Sequence, residues 1–178
     1  GHKVSIIDNL STGFIKNINK KVKFYKADIR NLAEIEKIFQ KEKPQIVNHH
    51  AAIAEVIKSL KNPLSTIETN VTGTINVLIA CSNVSIKKFI FSSTGGAIYG
   101  EPKKIPANEN TLLTPLSPYG LSKQLGEECI KFYSKIFGFD YLIFRYPNVY
   151  GPRQNPKGEA GVIGIFSNLI KNGQKPII

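Results

Sequence analysis

Lys88-Phe-Ile-Phe-Ser-Ser-Thr-Gly-Gly96 is a short apolar segment that runs straight into small residues. A run of this length bounded by turn formers reads as a strand. The Gly/Pro-rich loop that begins at Ser93 extends to Pro118, where a long helix opens and runs to about Gly138. The same alternation continues on both sides. Upstream, Lys3-Val-Ser-Ile-Ile-Asp8 reads as a strand ending in an acid, with turn chemistry from Asn9 to Gly13 and a second strand at Val22 to Lys26. Asn31 and Glu34 make a capping-box-like start for an amphipathic helix carrying Leu32, Ile35, Ile38 and Phe39, which Pro44 stops. Gln45 to His49 is a further strand, and Pro63 opens a helix with Leu64, Ile67, Val71, Ile75 and Leu78 on one face. Downstream come a strand from Tyr141 to Arg145, a loop from Pro147 to Gly161, and a last helix reaching Asn172-Gly173. Strands alternating with helices, on connections long enough for crossovers, predict an α/β protein. Its sheet is parallel, doubly wound and covered on both faces, with ligands at the carboxyl ends of the strands.

The 178 residues, 42% hydrophobic and 21% charged, are ordinary globular composition. No apolar run approaches the length of a membrane span and no signal peptide is evident, so the reading is a soluble cytoplasmic protein with no membrane partner. Cys81 and Cys129 lie in apolar helical patterns and read as reduced core thiols, with no metal site. The net charge of +11 comes mostly from dispersed lysines, which argues against nucleic acid and suits a handler of anionic small molecules. The chain has no methionine and opens at Gly1-His2-Lys3, which reads as an internal fragment.

Polar groups recur just after predicted strands: Asp8, Asp28, His49 to Ala52, Ser92 to Gly96, and Tyr146 to Asn148. In an open parallel sheet these positions face one crevice. Asp8 can accept from both ribose hydroxyls of an adenosine and would repel a 2′-phosphate, which favours NAD over NADP. The glycine fingerprint that precedes such an acid by about 20 residues would lie upstream of residue 1. Tyr119 and Lys123 share a helical face, and a nearby ammonium favours the phenolate, bringing a poor base toward working pH.

Seven segments resemble, in order, UDP-glucose 4-epimerases and their extended short-chain dehydrogenase/reductase relatives. They are Asp8 to Gly13, Ala27-Asp-Ile-Arg30, His49-His-Ala-Ala52, Asn70-Val-Thr-Gly-Thr74, Ser92 to Gly100, Ser117-Pro-Tyr-Gly-Leu-Ser-Lys123, and Arg145 to Arg153. The resemblance implies a partial Rossmann domain over 1–178 that lacks its first strand and glycine-rich loop, with the substrate-binding part starting after about 148. It implies NAD as cofactor. Asp8, Asn9, Ser11, Thr12 and Gly13 would hold the adenosine ribose and phosphate side, Asp28 and Ile29 the adenine, and Ala51, Ala52 and Asn70 the middle of the cofactor. Tyr146 and Pro147 would border the nicotinamide, and Asn148 would touch the phosphates of a UDP-sugar substrate. Tyr119 would be the base, Lys123 would tune it and bind the nicotinamide ribose, and Thr94 or Ser93 would bond the sugar 4-hydroxyl. His50 departs from the relatives and is expected to pack or touch cofactor.

Within that superfamily a 4,6-dehydratase carries an Asp-Glu pair after the catalytic Thr, where this chain has Gly95-Gly96. Elimination would lack its proton shuttle, so 4-epimerisation by transient oxidation at C4 is the expected reaction. A uronate epimerase or decarboxylase is the alternative. A non-catalytic NAD-sensing protein would have lost Tyr or Lys. Two apolar stripes on the 119–137 helix, with the helix 64–83, predict a homodimer.

Overall fold

The structure, a computed structural model, describes residues 1–155 and 161–177. The part of the predicted 147–161 loop at 156–160 lies outside the described residues. Among the described residues five strands and six α-helices follow one another: β1 Ser5–Asp8, β2 Lys23–Lys26, α1 Leu32–Glu42, β3 Ile46–His49, α2 Val56–Lys61, α3 Pro63–Ile67, α4 Gly73–Ser82, β4 Lys88–Thr94, α5 Pro118–Phe137, β5 Asp140–Tyr146 and α6 Val162–Lys171. All pairings are parallel. β1 pairs β2, and a separate three-stranded sheet has the order β3-β4-β5. Parallel strands joined through helices in both sheets fit a doubly wound α/β arrangement.

The helix that begins at Asn31 starts as its sequence predicts: the Asn31 side chain accepts from the Glu34 N–H, and Lys43 closes it in the left-handed region with φ 43°. The helix opened by Pro63 is not continuous. A π-helical turn, Glu68–Thr72, separates α3 from α4, and α2 precedes both without having been read from sequence. The buried side follows the apolar spacing only in part: Leu78 is buried but Leu64 is 75% exposed, while Thr66, Asn70, Gly73 and Thr74 are buried. Small and polar residues face inward here because α3 and α4 pack closely against α5; Asn70 bonds Ser122 across that contact at 2.9 Å.

One core joins α1, α4, α5 and the strands, with Ile35, Leu78, Phe89, Phe91 and Ile130 at its centre. Only one face of β3-β4-β5 is covered in this way. On the other face Ile46, Leu142, Phe144 and Tyr146 remain 38–52% exposed, and no residue of α6 is buried. Coverage of both faces is thus not seen among the described residues. Cys81 is buried and Cys129 half-buried, both as free thiols. No helix is long and apolar enough to cross a membrane among the residues described.

Candidate active site

The strand ends bring the predicted groups together in two clusters. At the ends of β1 and β2, Asp8 Oδ1 accepts the Leu10 N–H at 2.6 Å, and Asn9 Oδ1 accepts the Ser11 N–H at 2.9 Å. Asn9 Nδ2 also donates to Asp28 Oδ2 at 3.1 Å, joining the two turns. Arg30 grips Asp28 from Nε and Nη2 at 3.0 and 2.8 Å, and together with Asn9 it holds this carboxyl well below the usual range. Arg30 was visible in sequence only as part of a motif; its grip on Asp28 was not. Gly13 folds back so that a Cβ there would sit 3.7 Å from Asp8 Oδ2, whereas Ser11, Thr12 and Gly13 stay exposed. Ile29 turns into the core.

Asn70 sits on the π-helical turn and is 2% exposed. Its amide accepts the Ile53 N–H at 2.7 Å and donates to the Ile53 carbonyl and to Ser122 Oγ, each at 2.9 Å. These bonds tie down the loop after β3, which carries the exposed Ala51 and half-buried Ala52. A π-bulge at such a position is a common functional device.

The second cluster lies between β4 and α5. Ser117 caps α5 by accepting the Gly120 N–H at 3.1 Å, and Ser59 on α2 accepts the Tyr119 N–H at 3.1 Å, so the first turn of the helix is held from two sides. Gly120 permits close approach of the loop: a Cβ there would lie 2.3 Å from the Ala97 carbonyl oxygen. Burial raises the Tyr119 phenol above its ordinary pKa, and hydrogen bonding to the Thr94 side chain opposes that shift. Lys123, one turn on and 4% exposed, donates to the Ser92 carbonyl at 2.7 Å and lies over the Phe91 ring. Burial lowers its pKa to about 8. Tyr119 and Lys123 thus share a face as their spacing predicts, while Thr94 acts most directly on the phenol and the ammonium is anchored at Ser92.

Ser93 has a different partner. Its hydroxyl donates to Glu127 Oε1 at 2.6 Å, and both residues are buried. Of the two hydroxyls left open by the sequence, Ser93 is engaged with Glu127, while the Thr94 side chain lies beside Tyr119. His50 neither packs in the core nor stands alone: Ser92 Oγ is 2.8 Å from its Nδ1, and burial with the Lys123 charge lowers its pKa. Sequence reasoning missed Glu127, Arg145, Tyr99 and Ser59 as parts of this site. Glu127 falls four residues after Lys123, and that spacing was the available signal.

At the end of β5, the Tyr146 carbonyl accepts the Gly95 N–H at 2.7 Å and the Tyr146 ring stacks on Phe144. Pro147 and Asn148 are exposed and line, with Gly95, Gly96 and Tyr146, an open cleft of about 960 Å³. Tyr119, Lys123 and Thr94 do not line it, so this cleft flanks the hydroxyl cluster instead of containing it.

Comparison with known proteins agrees with this geometry. The sequence profile of the NAD dependent epimerase/dehydratase family matches residues 1–178. A protein of Methanocaldococcus jannaschii, named provisionally as a UDP-glucose 4-epimerase, is 50% identical over 177 residues, covering 99% of this chain and 58% of its own length. The Thermus thermophilus UDP-glucose 4-epimerase in complex with NAD superposes with a TM-score of 0.92 at 41% identity, over 97% of this chain and 56% of that one. The Thermotoga maritima UDP-glucose 4-epimerase with UDP-glucose gives a TM-score of 0.95 at 42% identity, over 98% and 57%. This chain spans a little over half the length of these relatives. With its profile matched from end to end and its fold shared, the chain belongs to the NAD dependent epimerase/dehydratase family.

Proposed function

We propose that the whole protein interconverts nucleotide sugars epimeric at C4, of the UDP-glucose/UDP-galactose type, with NAD as cofactor. The observation that carries this reading is the meeting of Tyr119, Thr94 and Lys123 where β4 ends. A half-buried phenol beside a hydroxyl can take the proton of a sugar 4-hydroxyl and later return it, and Lys123 one turn on would favour the anionic form when the site is filled. Bound NAD would supply the hydride acceptor and donor for the sugar C4. The residues at the ends of β1 and β2 suit a dinucleotide: Asp8 offers a carboxylate to ribose hydroxyls, and Asn9 and Asp28 meet where an adenine would lie. Ala51 and Ala52 leave room along the middle of such a ligand. Lys123 would bind the nicotinamide ribose, Tyr146 and Pro147 would border its ring, and Asn148 would reach the sugar-nucleotide phosphates.

Gly95 and Gly96 offer no side chain to shuttle a proton between C5 and C6, which supports epimerisation over dehydration. Backbone packing adds to this, because a Cβ at Gly95 would lie 3.0 Å from the Arg145 carbonyl oxygen. We place the whole protein in the cytoplasm as a homodimer. Leu121, Leu125, Phe132 and Ile136 on α5 are 38–60% exposed, while Gly126 and Ile130 on the other stripe are buried, so one stripe is left for a partner. The test is turnover of UDP-galactose to UDP-glucose by the full-length protein with NAD: conversion without net cofactor consumption supports the reading, and none contradicts it.

A further inference from the structure

Tyr119, Lys123 and Glu127 stand four residues apart on α5, and all three reach β4. Lys123 Nζ donates to the Ser92 carbonyl at 2.7 Å, Ser93 Oγ donates to Glu127 Oε1 at 2.6 Å, and the Thr94 side chain lies beside the Tyr119 phenol. Two successive strand residues are thereby tied to α5, and the next one faces Tyr119. The tie from Ser93 ends on a carboxylate only 1% exposed. A buried carboxylate requires a countercharge and further hydrogen bonds. Arg145 on β5 provides both, from Nε to Oε1 at 2.9 Å and from Nη2 to Oε2 at 2.7 Å. Its Nη1 donates to the Tyr99 hydroxyl at 3.0 Å and to the Glu109 carbonyl at 3.2 Å, both in the loop that follows β4. One ion pair therefore joins β4, α5, β5 and two points of that loop.

We propose that Glu127 is a positioning residue of the active site: through Ser93 and Arg145 it fixes the main chain on both sides of Thr94, and so holds the Thr94 hydroxyl on the Tyr119 phenol. Thr94 lies between Ser93, bonded to Glu127, and Gly95, whose N–H donates to the carbonyl of Tyr146, the neighbour of Arg145. Movement of either side displaces the hydroxyl between them. The inference rests on Tyr119 being the base of the proposed reaction. A purely structural ion pair gives a different pattern, since losing one partner would cost stability without acting through one hydroxyl.

The test uses the full-length protein with Glu127→Gln, Thr94→Val and the double variant. Gln keeps the shape and an acceptor for Ser93 while losing the charge that holds Arg145. Glu127→Gln is expected to lower kcat about tenfold with KM changed less than about twofold. The acid limb of the kcat profile should move to higher pH, because the phenolate loses its Thr94 bond. In the Thr94→Val background the same change should lower kcat less than about twofold. Ser93→Ala, a milder variant that keeps the ion pair, should show the same direction and the same disappearance, so the proposal stays testable if Glu127→Gln does not fold. Equal losses in both backgrounds, or an acid limb that does not move, would overturn the positioning role. Absence of turnover in the wild type would instead refute the epimerase reading. In that case ultraviolet titration of the phenol, with Tyr119→Phe as blank, still decides whether Glu127→Gln raises the Tyr119 pKa, and an unchanged titration overturns the proposal.

Discussion

The ammonium of Lys123 lies 4.8 Å from the centre of the Phe91 ring, and Gly126 passes over that same ring one turn further along α5. A Cβ on Gly126 would meet Phe91 Cζ at 2.8 Å. Overpacking of this kind destabilises by about 1–3 kcal/mol, which exceeds the roughly 0.5–1 kcal/mol that Ala gains over Gly within a helix. Gly126→Ala should therefore lower the urea midpoint, and Phe91→Leu in the same chain should reverse the sign by making room for the methyl. A Gly126→Ala protein more stable than wild type would show that α5 does not bear on the ring this closely.

His49 gives the acid stability a defined slope. It is fully enclosed between Phe89, Phe91 and Thr74, and burial lowers its pKa from 6.5 to about 3. Thr74 donates its only hydroxyl proton to the Asn70 carbonyl, so His49 is the donor at Nε2. As pH falls below 6.5 the unfolded chain takes a proton that the folded chain refuses. Stability is then lost at about 1.4 kcal/mol per pH unit for this one group, over the window from about 6.5 to about 3. Between pH 6.5 and 5 the paired carboxylates Asp28 and Glu42, with lowered pKa values, add little. Denaturant unfolding of His49→Gln should be less stable at pH 7 but flatter with pH, and a slope equal to wild type would contradict the assignment.

Thr94 and Ser93 are expected to differ in kind. Thr94→Val removes the hydroxyl on Tyr119 and should lower kcat about tenfold or more. Ser93→Ala acts only through the main chain and should lower it less than about threefold. Steady-state kinetics on the two variants would reverse the assignment if Ser93→Ala proved the more damaging.

The strand ends were legible because apolar runs followed by Asp, Ser-Thr-Gly or Pro mark a parallel strand and its carboxyl turn, and β1, β3, β4 and β5 fall where those runs lie. The Tyr119–Lys123 pair was legible from its spacing taken together with the Ser92–Gly96 segment that precedes it. The break in the helix after Pro63 was not, since residues 64–78 carry apolar side chains at helical intervals, while Thr66, Asn70 and Thr74 turn inward alongside Leu78. Tertiary bonds from Asn70 to Ile53 and Ser122 override the periodicity there. Glu127 was hidden for a related reason: an acid beside a second one, Glu128, in an amphipathic helix reads as solvated surface, and only the arrival of Arg145 from β5 makes its burial possible.

Assembly follows from the stripe that α5 leaves uncovered. Leu125, 38% exposed between Leu121 and Phe132, lies in the middle of that face. A charge placed there would have to be desolvated on association, so Leu125→Glu in the full-length protein should shift a dimer to monomer in light scattering at micromolar concentration. A wild-type protein that is already monomeric at that concentration would remove the proposed interface.

Proton removal by Tyr119 is the claim on which the proposed chemistry turns. Tyr119→Phe keeps the ring in its half-buried position at the start of α5 and removes only the hydroxyl that lies beside Thr94. Measured in the full-length protein, with folding and NAD binding checked by calorimetry, interconversion of UDP-glucose and UDP-galactose should fall by a factor of about a hundred or more. Turnover near the wild-type rate in that variant would contradict the account.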